Sequence, residues 1–519
     1  RVTLLTDGGR SMNGGVRFSH GGDRIAFTST RRNGSDGDVY VMDPTDSTGS
    51  RLVLEVSGGA GWAVQGWSPD DTRLLVSQYL SANQSNLYAV DVASGRSEPL
   101  TEQGDDTVFY GNASVARDGK GIFLTTDRGS EFQRLAYMDL ASRRITILTA
   151  DIAWAVEELE LSDDGLTLAF TTNEAGVSRL HLLDTRTRRH RAVTNVPPGV
   201  IASLRWRRTG GELGFTVSNA RSPSDVYSLD VKSGATTRWT ESELGGLVAS
   251  QITQPSLVRW KSFDDRRISG FYYRPSSRFT GKRPVIIDIH GGPEGQSRPG
   301  FLGRSNYFLS ELGVALIYPN VRGSSGYGKT FLKLDNGFKR EDSVKDIGAL
   351  LDWIARQPEL DADRVMVTGG SYGGYMTLAT ATNYANRICC ALDVVGLSNF
   401  NTFLKNTESY RRDLRRVEYG DERDPEMSAF FDRMAPLTNA GKITKPLFVV
   451  AGGNDPRVPY TEGEQMVKRV KQNGTPVWWL MAKDEGHGFR KKNNADFQFY
   501  ATVMFIRRYL LGEPAMSTP

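Results

Sequence analysis

The chain has 519 residues, 39% hydrophobic and 24% charged, which is too long for one hydrophobic core, so two or more domains are expected. Lys+Arg number 64 against 60 Asp+Glu, a net charge of +4. That balance implies no nucleic-acid partner, and no run approaches the ~18 apolar residues of a membrane span.

The basic clusters Arg411-Arg412, Arg415-Arg416 and Arg490-Lys491-Lys492 are short and interleaved with acids, and read as solvated faces. Cys389 and Cys390 are adjacent and poorly placed for a disulfide. No Cys/His cluster has metal-site spacing, so neither a metal nor another cofactor is expected. No secretory signal is visible, and residue 1 is Arg rather than Met, which fits a processed or trimmed N-terminus. A cytoplasmic or periplasmic location and a homo-oligomer are all compatible with these numbers.

The first ~250 residues repeat. Turns rich in Asp, Gly and Ser begin at Ser19, Ser68, Ala116, Ser162 and Arg207, and each leads into an apolar strand such as Leu74 to Val76 or Leu168 to Phe170. A later strand in each unit ends in Asp before a turn: Asp43, Asp91, Asp139, Asp184 and Asp230. Repeats of about 45 to 50 residues with several short strands indicate the blades of a β-propeller, here five. Arg1 to Gly9 looks like the closing strand of a blade, because Leu5-Thr6-Asp7 echoes Leu100-Thr101-Glu102. That strand either closes the ring or follows blades absent from this chain.

From about Ser256 strands alternate with helices, the pattern of a mostly parallel sheet. A hairpin over Leu257 to Tyr273 comes first. Strands follow at Val285 to Ile289, Val314 to Tyr318, Val365 to Thr368, Ala391 to Val395, Leu447 to Val450 and Val477 to Met481. One helix is predicted from a capping box at Ser343 and Asp346, with others near Tyr375 to Tyr384, Thr461 to Val470 and Phe497 to Leu511. The expected architecture is therefore multidomain: an all-β propeller over 1–250, then an α/β-hydrolase domain over 251–519.

The strand Val365 to Thr368 runs into Gly369-Gly370-Ser371-Tyr372-Gly373-Gly374 and a helix follows, the strand–turn–helix setting of a nucleophile elbow. The plainer reading is a surface serine in a Gly-rich turn. A serine hydroxyl needs a base, and the order in α/β-hydrolases is Ser, acid, His. His487 in Glu485-Gly486-His487-Gly488 is the candidate base. Asp455 in Asn454-Asp455-Pro456 is the candidate acid, able to fix the imidazole tautomer; Asp393, Asp484 and Glu485 are its rivals. Candidate oxyanion donors are the amides of Tyr372, after the nucleophile, and Gly292 in His290-Gly291-Gly292-Pro293. His290 then positions that loop.

These motifs, with Leu257-Val258-Arg259-Trp260-Lys261-Ser262-Phe263-Asp264, Asn320-Val321-Arg322-Gly323-Ser324-Ser325-Gly326-Tyr327-Gly328 and Asn454-Asp455-Pro456-Arg457-Val458-Pro459, resemble the prolyl oligopeptidase family of serine peptidases along nearly the whole chain. The HGGP loop is similar to that of its acylaminoacyl peptidases. The resemblance implies hydrolysis of short peptides through an acyl-enzyme, with the propeller limiting substrate size. It also implies that Arg457 holds a substrate carbonyl. Dipeptidyl members hold the substrate amine with paired glutamates, for which Glu157-Glu158 is the candidate pair. A carboxylesterase using the same triad and a silent propeller-based binding protein are the alternatives.

Overall fold

The computed structural model describes residues 2–6, 9–102 and 107–514. Up to Arg238 the chain forms five four-stranded antiparallel sheets, each built from strands consecutive in sequence. Their first strands, Asn13–Phe18, Trp62–Trp67, Tyr110–Val115, Ala155–Leu161 and Val200–Trp206, neighbour one another in order. Apolar cores lie between consecutive sheets; Ala26, Val39 and Val41 of the first pack with Val64, Leu74 and Val76 of the second. Indole N–H groups bridge sheets, Trp67 to the Arg17 carbonyl at 3.0 Å and Trp206 to the Glu160 carbonyl at 2.9 Å.

The repeated strand-end aspartates have a local cause. The Asp139 carboxylate accepts from the Ser142 amide (2.8 Å) and hydroxyl (2.7 Å), and Asp91, Asp184 and Asp230 do the same with Ser94, Thr187 and Ser233. Each closes a turn by mimicking a backbone acceptor. The closing strand expected at Arg1 to Gly9 falls partly outside the described residues, and its described part, 2–6 and 9, forms no strand. The first strand of the first sheet, Asn13–Phe18, is exposed along its length.

The remainder builds one eight-stranded sheet. Its strands are β1 (Ser256–Lys261), β2 (Arg267–Tyr273), β3 (Arg283–Ile289), β4 (Ala315–Asn320), β5 (Leu360–Gly370), β6 (Cys390–Val394), β7 (Leu447–Gly452) and β8 (Val477–Ala482). The order is β1-β2-β4-β3-β5-β6-β7-β8, antiparallel across β1, β2 and β4 and parallel from β4 through β3 to β8. This is the α/β-hydrolase topology. Because side chains alternate across a strand, Val285, Ile287 and Val367 join one buried layer, and Ile286 and Met366 join the other. Coverage on both faces explains the continuous apolar runs.

Besides two short helices, Asn306–Ser310 and Lys329–Leu332, the longer helices are α1 (Arg340–Ala355), α2 (Tyr372–Asn383), α3 (Phe400–Asn406), α4 (Ser409–Tyr419), α5 (Pro425–Met434), α6 (Thr461–Gln472) and α7 (Lys492–Phe505). The capping box predicted at Ser343 and Asp346 does not form. Helix α1 begins a turn earlier at Arg340, and Ser343 Oγ donates to the Arg340 carbonyl. Asp346 is instead wholly buried against Arg322, at 2.8 and 3.0 Å, and accepts from Ser262 Oγ at 2.5 Å. Arg322 also grips Asp264 at 3.0 Å, so two of the quoted motifs exist to lock the β1–β2 hairpin onto α1. Helices α3, α4 and α5 are not among the predicted elements, although Phe400, Phe403 and Leu404 of α3 and Met427, Phe430, Phe431 and Met434 of α5 recur at helical spacing; α4 reads SYRRDLRRVEY, and only Glu418 and Tyr419 of it are fully buried.

The third and fourth sheets meet the loops that leave the carboxyl ends of β3 and β4. Arg298 pairs with Glu157 at 2.9 Å and donates to the Gly176 carbonyl and Ser178 Oγ. Thr330 donates its amide and hydroxyl to Glu131, at 3.0 and 2.8 Å.

Candidate active site

Ser371 sits between β5 and α2 with φ 60° and ψ −119°, a region disfavoured for a residue with a Cβ. Its amide donates to the Val394 carbonyl of β6 at 2.9 Å, and its carbonyl accepts from Gly374. A Cβ added at Gly369 would lie 2.5 Å from the Ile289 carbonyl oxygen, and one at Gly373 2.0 Å from it. Only glycine lets strand, turn and helix approach this closely. The elbow therefore lifts Ser371 above the carboxyl edge of the sheet.

Asp455 follows β7, and its side chain is fully buried. Its Oδ1 accepts from the Arg457 and Val458 amides at 2.8 and 3.1 Å, leaving Oδ2 to accept from His487 Nδ1 at 2.7 Å. The two loops interlock, with the Asn454 amide on the Glu485 carbonyl at 2.8 Å. Of the rival acids, Glu485 binds the Arg490 and Lys491 amides and Asp484 pairs with Lys491. Asp393 is buried inside β6, where burial pushes its carboxyl up to about 7. Among the described residues none of the three carboxylates pairs with His487. Ser371 Oγ and His487 Nε2 make no hydrogen bond among the described residues.

The His290 loop lies against the elbow. A Cβ on Gly291 would meet the Gly370 carbonyl oxygen at 2.8 Å and Ser371 Cβ at 3.3 Å. His290 is held at both ring nitrogens, Nδ1 2.9 Å from the Gly291 carbonyl and Nε2 2.8 Å from Ser324 Oγ, and burial depresses its pKa. The amides of Gly292 and Tyr372 donate to no protein group among the described residues. Two free N–H groups beside a strained serine can receive a developing oxyanion.

A buried charge network underlies these two amides, and the sequence reading missed it. The Tyr372 hydroxyl lies 3.2 Å from Arg340, Asp335 and Ser343, and Arg340, itself wholly buried, binds Asp335 at 2.7 Å. Burial pushes Asp335 up to about 6 despite the Arg340 charge. Tyr419 Oη and Arg415 hold the Gly292 carbonyl at 3.1 and 3.4 Å. Arg415 also meets Glu294 at 3.3 Å and Glu418 at 3.4 Å. Burial and the neighbouring Glu294 push the Glu418 carboxyl well above its usual range. Glu294 is held below its own: burial alone would raise it, but the Glu418 hydrogen bond and Arg415 outweigh that.

The expectation of a solvated face therefore fails for Arg411 to Arg416, where Arg415 and Arg416 are 17% and 14% exposed and ion-paired. Glu294 reaches Arg415 from the loop after β3, whereas Glu418, Asp413 and Glu422 lie within six residues of the arginines they bind, so the interleaved acids are ion partners rather than signs of a solvated face. The solvated reading suits Lys491 and Lys492, which are exposed and paired with Asp484 and Asp496. Arg457 is exposed; its carbonyl accepts from Thr407 Oγ1 at 2.8 Å, and its guanidinium makes no ion pair among the described residues. Glu157 and Glu158 do not form a free pair. Glu157 is spent on Arg298 and Asn173, and Glu158 accepts from the Ser203 and Leu204 amides, because successive strand residues point to opposite faces.

The sequence profile of the prolyl oligopeptidase family matches residues 301–513. The chain is 30% identical over 507 residues to dipeptidyl aminopeptidase BIII of Pseudoxanthomonas mexicana, covering 92% of this chain and 70% of that one. It is 27% identical over 235 residues to the acylamino-acid-releasing enzyme of Arabidopsis thaliana, 44% of this chain and 30% of that one. The crystal structure of a puromycin hydrolase superposes with a TM-score of 0.85 at 18% identity, over 98% of this chain and 80% of that one. At that identity the likeness speaks to the fold.

Proposed function

The chain belongs to the prolyl oligopeptidase family and is a serine-type peptidase similar to its dipeptidyl aminopeptidase and acylaminoacyl peptidase members, and from that premise we propose that it hydrolyses short peptides through Ser371, His487 and Asp455. The observation that carries the reading is the 2.7 Å bond from His487 to a fully buried Asp455, on loops that leave the carboxyl ends of β7 and β8, the same edge of the sheet as the strained Ser371 elbow. Ser371 Oγ attacks the peptide carbonyl while His487 Nε2 takes its proton. Asp455 holds Nδ1–H and stabilises the imidazolium. The Gly292 and Tyr372 amides receive the oxyanion. His487 then protonates the leaving amine, and a water activated by the same imidazole releases the acyl group.

His487 swings to Ser371 on the flanking Gly486 and Gly488, the latter at φ 100°, since catalytic hydrogen bonds often tighten only with substrate bound. Arg457 donates to a substrate carbonyl. Residues 1–250 form the propeller unit and 251–519 the catalytic unit. The contacts of Arg298 with Glu157 and of Thr330 with Glu131 support a propeller seated over the carboxyl edge of the sheet, where it excludes folded proteins.

Labelling with a fluorophosphonate probe tests the nucleophile. The wild type is expected to be labelled and Ser371→Ala, folded to the same melting temperature, to be neither labelled nor active. Labelling of Ser371→Ala would remove the assignment.

A further inference from the structure

Helix α4 joins three parts of the site. The Thr407 hydroxyl just before it holds the Arg457 carbonyl at 2.8 Å, two residues past Asp455. Arg415 reaches the Gly292 carbonyl. The Tyr410 carbonyl accepts from the Ala60 amide at 3.2 Å, in the loop entering the second propeller sheet. One turn before Arg415, on the same helix face, stands Arg411.

Arg411 is partly buried, its Nη1 is shielded from solvent, and its guanidinium has no hydrogen-bond or ion-pair partner among the described residues. Among the described residues no acid of the site is free to serve it. Glu294 and Glu418 are committed to Arg415 and to each other, and Asp335 to Arg340. Burial, then the charges of Arg415 and Arg457, disfavour the charged form of Arg411. Like charges four residues apart on one helix face repel, and an unpaired buried cation is costly. An anion delivered by a ligand relieves both costs.

We propose that Arg411 and Arg457 form a cationic subsite that takes a carboxylate of the peptide substrate. The inference rests on the peptidase reading above and narrows its substrate class to peptides with an acidic group close to the cleaved bond. That carboxylate comes either from an Asp or Glu side chain or from the C-terminus of a very short peptide.

Two sets of matched substrates separate these sources: Glu against Gln at each residue flanking the cleaved bond, and free acid against amide at the C-terminus. One set is expected to show kcat/KM favouring the acid by about tenfold or more, the worth of one charge-assisted hydrogen bond. In Arg411→Gln that ratio falls toward one, while Arg411→Lys retains part of it. The melting temperature of Arg411→Gln does not fall, because an unpaired charge has been removed. Equal rates on acid and neutral substrates in the wild type would overturn the proposal, as would a ratio that survives Arg411→Gln. If Arg411→Gln does not fold, Arg411→Met, which keeps the apolar stem, carries the same test. A wild type that neither cleaves these peptides nor takes the fluorophosphonate label defeats the peptidase reading itself, and the subsite with it.

Discussion

The propeller and the hydrolase sheet are both strand-rich, but they use polar groups in opposite ways. In the propeller, acids such as Asp139 and Asp230 sit at exposed turns and bond residues three positions on. Each turn is complete within its own repeat. In the hydrolase, acids and arginines are buried and find partners far along the chain: Asp346 with Arg322 and Ser262, and Arg340 with the Glu418 carbonyl. Local polarity tolerates repetition, whereas long-range buried polarity defines one site and one arrangement around it.

The sharpest test of that contrast lies in the two histidines of the hydrolase half. His487→Ala is expected to lower turnover by about a million-fold, as loss of a catalytic base does, and His290→Ala to act more mildly by loosening the Gly292 loop. Kinetics of the two variants on one short peptide decide it; reversed severities would mean the base is misassigned.

Next in size is the buried ion pair. Arg322→Ala strands Asp346 in the interior, and removing one partner of such a pair costs about 3–5 kcal/mol. Denaturant unfolding should show a loss of that order, whereas Asp139→Ala, at an exposed turn, should leave the midpoint nearly unchanged. Comparable losses would erase the distinction between the two regions.

Arg457→Ala is expected to lower kcat/KM on peptides by roughly tenfold or more and to leave p-nitrophenyl acetate hydrolysis little changed, since that ester lacks the second carbonyl. Equal losses on both would make Arg457 a support of the Asp455 loop.

The smallest expected effect is one of pH. Burial raises Asp393 from 3.8 to about 7. Between those values the folded state binds the extra proton, so stability falls as pH rises. This contribution is fully present below the unfolded pKa and lost through about 7. Melting temperatures of Asp393→Asn should therefore decline less than those of the wild type from pH 5 to pH 8; parallel curves would show that Asp393 does not titrate in this window.

Much of this was legible because its cause is local. The 45- to 50-residue repeat, the strand-end aspartates and the Gly369-Gly370-Ser371-Tyr372-Gly373 turn each depend on neighbours in sequence. The Ser, Asp, His order is readable for the same reason, since each residue follows its own strand. Helix α4 was not, because the acids interleaved with its arginines, Glu418 and Glu422, read as a solvated face until the fold buries them and brings Glu294 in from the loop after β3. Nor could Glu157 be told from a free ligand before Arg298 was seen to occupy it.

By itself, then, the sequence determined the two-part architecture, the elbow, and which serine, acid and histidine are candidates for chemistry, since strand periodicity and tight turns are short-range properties. Only the tertiary structure decided which charges are already paired and which are left open. An ion pair is a matter of distance through space, and burial sets its strength; neither is written in the spacing of residues along the chain.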